Sequence, residues 1–70
     1  MFEIRLSDPT RINELREALV HGNYPAVQTS EDILLVTPLT ADEAEARLEL
    51  KFFLKAWLDR RPDVEARLVA

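Results

Sequence analysis

One histidine, thirteen carboxylates and no cysteine set the chemistry open to this chain. His21 has no second histidine or thiol to complete a metal set or a nucleophile–base pair. Its expected place is the end of a helix, where the dipole favours a cation, with Glu17 one turn before it. Asp42, Glu43, Glu45 and Glu49 crowd the start of one segment, and Lys51, Lys55, Arg60 and Arg61 follow in its second half. That order complements a helix dipole, whereas acid–base catalysis by paired carboxylates needs a cleft that perturbs a pKa. A backbone cradle for phosphate needs several glycines, and Gly22 is the only one. Catalysis, a bound metal and a cofactor are therefore not expected.

The balance of nine basic and thirteen acidic residues gives a net charge of −4. An acidic chain is a poor general binder of nucleic-acid backbones, and Arg60-Arg61 is its one local basic spot. With 70 residues, 47% hydrophobic and 31% charged, the composition is that of a single globular domain over residues 1–70. A chain this short hides only about 60% of its unfolded surface, so a partner chain would add materially to its stability. No apolar run exceeds that of Ile33 to Val36, far short of a membrane span. Met1 to Arg5 alternates in polarity with no basic-then-apolar leader, which places the expected location in the cytoplasm.

The elements follow from periodicity. Phe2, Ile4 and Leu6 alternate with Glu3 and Arg5, the pattern of a strand buried on one face. Ser7-Asp8-Pro9 supplies an N-cap followed by proline at the first helical position. Ile12, Leu15 and Leu19 then mark the inner side of a helix that ends at Gly22, expected as its left-handed cap. Tyr24 to Thr29 contains Pro25, which suits an edge strand. Ile33 to Thr37 reads as a central strand, paired with it as a hairpin. Thr40 and Glu43 have capping-box spacing, so a second helix is expected from Ala41 to about Arg60, ahead of Pro62. Val64 to Val69 alternates as a last strand.

This β-α-β-β-α-β order resembles the ferredoxin-like split β-α-β architecture, an α+β fold whose four-stranded antiparallel sheet, order 4-1-3-2, carries two helices on one face. Leu54-Lys55-Ala56-Trp57, Pro62 and Val64 to Leu68 also resemble the C-terminal end of short bacterial proteins of no assigned activity. Metal-binding members of the architecture use a cysteine pair after the first strand, where this chain has Ser7-Asp8-Pro9. RNA-binding members stack bases on aromatic side chains of strands 1 and 3, where this chain has charged and aliphatic residues. Regulatory modules of the same order bind amino acids near the loop after strand 1, here Ser7 to Thr10 without the usual glycine. A small-molecule ligand is thus the alternative reading.

If strand 4 lies antiparallel to strand 1 with residue numbers summing to 70, Glu3 faces Arg67, Arg5 faces Glu65 and Ile4 faces Ala66. The second helix carries two apolar stripes at 100° per residue. Ala46, Leu50, Phe53, Leu54 and Trp57 form the broader one, assigned to the core. Ala41, Ala44, Leu48 and Phe52 form the other, bordered by Glu45, Lys51, Lys55 and Asp59 in the manner of a helix–helix seam. On the open face of the sheet, either Leu34 and Val36 or Ile33 and Leu35 must join Arg5. The resulting expectation is a non-catalytic interaction module, a homodimer or a binder of another protein. Its contact residues are Leu48, Phe52, Ala44, Leu34, Val36 and Arg5.

Overall fold

The computed structural model describes residues 1–38 and 40–69. Strand β1 (Phe2–Leu6) leads through a single 3-10 turn (Pro9–Arg11) into helix α1 (Ile12–His21), and β2 (Ala26–Ser30) and β3 (Ile33–Val36) follow as a hairpin. Helix α2 (Glu43–Asp59) and β4 (Ala66–Val69) complete an α+β domain. The strands form one antiparallel sheet ordered β2-β3-β1-β4, with β1 and β3 inside and β2 and β4 at the edges.

Aspartates cap the 3-10 turn that leads into α1 and the start of α2, while α1 itself begins one turn later than expected, after Arg11, with no side-chain cap. Asp8 Oδ1 accepts from the Thr10 N–H at 3.0 Å and from the Thr10 hydroxyl at 2.6 Å, and Pro9 needs no partner for a missing N–H. For α2 the cap is Asp42, whose Oδ1 accepts from the Glu45 N–H at 3.2 Å. Thr40 accepts from the Asp42 N–H instead, so the helix begins two residues later than the capping-box spacing suggested. Asp42 has the short carboxylate that an N-cap favours, and it outcompetes Thr40.

Gly22 is not the left-handed residue after α1. Its φ is −83°, and Asn23 takes φ 68°, a conformation asparagine tolerates. Gly22 is small for a different reason. A Cβ there would lie 3.0 Å from Cε2 of Phe53, whose ring meets Tyr24 edge-on at 5.5 Å.

One core gathers Phe2, Ile4 and Leu6 of β1, Leu34 and Val36 of β3, Ile12, Leu15 and Leu19 of α1, and Ala46, Leu50, Leu54 and Trp57 of α2. Both helices therefore cover the same face of the sheet. Phe53, assigned to the core from its spacing, is half-buried between the helices beside Tyr24 and packs against this core.

The β1–β4 register differs from expectation by two residues. Arg5 lies opposite Arg67, Ile4 opposite Leu68 and Leu6 opposite Ala66. The cause lies before the strand. Val64 is drawn into the core, its N–H held by the Arg61 carbonyl, while the Ser7 N–H donates to the Glu65 carbonyl and the Glu65 N–H donates to Ser7 Oγ. These bonds delay the strand to Ala66. An even slip keeps every side chain on its own face, so the facing is as read and only the cross-strand partners change. Among the described residues no helix is long and apolar enough to cross a membrane.

Candidate interaction surfaces

Among the described residues two apolar surfaces remain uncovered, on opposite sides of the layered chain. The first is the open face of the sheet. The register aligns Val27, Leu35, Glu3 and Val69 across the four strands, and Ile33, Arg5 and Arg67 in the next row. Val27 is 64% exposed, and Ile33 and Leu35 are half-buried with no layer above them. Leu34 and Val36, expected here as contact residues, are fully buried. They pair with Ile4 and Phe2 on the helix side, and because alternate residues point to opposite faces, Ile33 and Leu35 take their place outside. A strand with four consecutive aliphatic residues hides its phase. Only the pairing with β1 reveals it.

The electrostatics of this face are unbalanced. Arg5 and Arg67 are direct cross-strand neighbours, an arrangement of like charges that disfavours the pairing. Glu3 stands between Leu35 and Val69. The expected pairs of Glu3 with Arg67 and Arg5 with Glu65 are not made, and among the described residues none of these four side chains has an ion-pair partner within 4.0 Å.

The second surface is the outer ridge of α2. Leu48 and Phe52, one turn apart, are 56% and 64% exposed, and Ala44 extends the stripe, whereas Ala41, expected on it, lies before the helix begins at Glu43. Glu45 and Glu49 flank it on the side of α1, where the Glu49 charge and burial together push the Tyr24 phenol above its ordinary pKa, burial being the larger cause. Lys51 and Lys55 flank it on the other side, lining a groove against Ala66 and Leu68. Val20 on α1 is also exposed, as a single residue of the kind most surfaces carry.

Residues weighed for chemistry fall elsewhere. His21 is exposed in the last turn of α1. Arg61 is not part of a free basic spot. Its Nε donates to Glu14 Oε2 at 3.0 Å, its Nη1 donates to the Trp57 carbonyl at 2.9 Å, and its guanidinium stacks 4.3 Å from the Trp57 ring centre. This contact, invisible at a separation of 47 residues, holds the Glu14 carboxyl below its ordinary pKa and raises that of the guanidinium. Among the described residues no three His, Asp or Glu side chains gather as a metal set.

In the loop after β1, the Asp8 carboxylate is occupied by Thr10 and held below its ordinary pKa by those hydrogen bonds. Beside it lies an open groove of about 510 Å³ whose lining includes Arg5, Ser7, Asp32, Val64, Glu65 and Arg67. No family model matches the chain, and no curated protein or solved structure matches it.

Proposed function

We propose that the chain is a non-catalytic interaction module of the ferredoxin-like type that assembles with copies of itself through the open face of its sheet. The observation that carries this reading is the self-complementary order of Glu3 and Arg5 beside Leu35 and Ile33. A two-fold axis crossing β1 at Ile4 sets Glu3 of one copy over Arg5 of the other, and Arg5 over Glu3. Because Glu3 is level with Leu35 and Arg5 with Ile33, the same operation lays Leu35 on Ile33. Glu3 and Arg5, which have no ion-pair partner among the described residues, each gain one, and the aliphatic strip is covered. Isologous contacts of this kind are the commonest basis of homodimers.

Sedimentation velocity tests it. Arg5→Glu and Glu3→Arg are each expected to lower the average mass at micromolar concentration. The double variant Glu3→Arg/Arg5→Glu is expected to restore it, because the pairing is reversed rather than lost. Unchanged mass in both single variants, with native circular dichroism, rejects the sheet contact.

A second reading, a small-ligand-sensing domain, is favoured by the groove beside Ser7, where two arginines unpaired within the described chain share the lining with Asp32 and Glu65. Its volume falls in the range of small-molecule sites. A thermal-shift screen with amino acids and nucleotides is expected to give a stabilised hit that Arg67→Ala abolishes; a screen without a hit rejects it.

A further inference from the structure

We infer that the outer ridge of α2 is a second self-association surface, on which two copies pair with their α2 helices parallel. The starting observation is the sorting of charge about Leu48 and Phe52. Glu45 and Glu49 lie on one flank of the ridge, and Lys51 and Lys55 on the other. Among the described residues none of the four has an ion-pair partner, and the only such contact within α2 joins Arg47 to Glu43. Glu45, Glu49 and Lys51 have no opposite charge three or four residues away on the helix, and Lys55, four residues before Asp59, does not pair with it within 4.0 Å. Glu45 and Glu49, like Lys51 and Lys55, are like charges four residues apart, a placement that weakens an isolated helix.

A second copy of this chain supplies what the helix lacks. When two identical ridges meet with helices parallel, the two-fold axis runs along them and carries each flank onto the opposite flank, so glutamates face lysines. Glu49 of one copy then sits about 3 Å along the axis from the level of Lys51 of the other, and the reciprocal pair forms by symmetry. When the helices are antiparallel, the axis runs across them and carries each flank onto itself, setting glutamates against glutamates and lysines against lysines. Flanking charges fix partner orientation in helix seams generally. Here they select the parallel form, with Leu48, Phe52 and Ala44 of each copy meeting their own counterparts.

The ridge and the open sheet face lie on opposite sides of the chain, so the two-fold axes of the two contacts do not meet. Using both produces an open-ended chain of copies rather than a closed ring or tetramer. The ridge contact is independent of the sheet contact and stands if that one fails.

The test is a set of four samples in sedimentation velocity across a concentration series. The unmodified chain is expected to grow beyond a dimer. Phe52→Asp and Arg5→Glu are each expected to stop at a dimer, and the combination to be a monomer. Phe52 is largely exposed, so its substitution leaves the core untouched, and Glu49→Lys offers a second probe of the same ridge. A mass unchanged by both Phe52→Asp and Glu49→Lys overturns the ridge contact, whereas a mass unchanged by Arg5→Glu overturns only the sheet contact. Orientation is read from oxidative cross-linking, since the chain has no native cysteine. Ala44→Cys alone is expected to cross-link in the Arg5→Glu background. Cross-linking only when Ala44→Cys is mixed with Lys55→Cys, near the far end of the same flank, overturns the parallel arrangement.

Discussion

Arg61 donates from Nε to Glu14 Oε2 at 3.0 Å and bridges 47 residues of sequence. Its backbone carbonyl also accepts from the Val64 N–H at 3.0 Å, and its guanidinium lies over Trp57. Arg61 thus joins α1 to the end of α2 through its side chain, and holds the approach to β4 through its backbone carbonyl. Replacement by lysine keeps the charge but loses the planar stacking and the forked donors. Arg61→Lys is expected to lower the melting temperature and to loosen β4, read as faster hydrogen exchange at Ala66 to Val69.

The same pair sets a pH response. Glu14 has its carboxyl held below the ordinary value of 4.5 by Arg61. A lowered folded-state pKa means that the stabilisation is present above the unfolded value and fades as the pH falls through the folded one. Thermal melts of Glu14→Gln against the unmodified chain are expected to differ most near neutrality. They should converge as the pH falls below about 4.5. A constant difference across that range would contradict the assignment.

Gly22 and Phe53 are matched by contact rather than by backbone conformation. Gly22→Ala puts a methyl 3.0 Å from the Phe53 ring and is expected to destabilise by about 1–3 kcal/mol in denaturant titration. Phe53→Leu alone leaves space, so the double variant is expected to lose less than the two single losses combined. Asn23→Val, at the residue with φ 68°, is expected to cost about 1–2 kcal/mol, while Asn23→Gly is expected to be tolerated.

Adjacent residues of α2 divide core from surface. Leu50→Ala removes a fully buried side chain and is expected to cost about 2–5 kcal/mol, a large share of the stability of a small domain. Phe53→Asp, beside Tyr24, is expected to unfold the chain. Phe52→Asp should retain native circular dichroism and a similar melting temperature. The reverse result for the two phenylalanines would exchange the inner and outer sides of the helix.

Periodicity made the facing of side chains legible, whereas contacts between distant segments were not. Alternation placed Phe2, Ile4 and Leu6 inside and Glu3 and Arg5 outside, and the 3.6-residue repeat separated Leu50 and Leu54 from Leu48 and Phe52. Proline at position 25 marked an edge strand correctly. The β1–β4 register was not legible because registers differing by two satisfy the same alternation. The hydrogen bonds of Ser7 and Glu65 decide it, and these need three-dimensional proximity. The run from Ile33 to Val36 carries no alternation at all, so Leu34 and Val36 could not be told from Ile33 and Leu35. The outward facing of Leu48, Phe52, Ala44 and Arg5 was legible from spacing, while the exposed Val27 follows from an edge strand whose outer row no helix covers.

The chain has a single tryptophan, and it is the ring beneath Arg61. A stacked guanidinium and a buried indole whose Nε1 meets no acceptor among the described residues make an unusual emission environment. Native fluorescence, without any attached dye, therefore reports on the junction where both helices and the final strand come together, and changes there can be followed in the unmodified molecule.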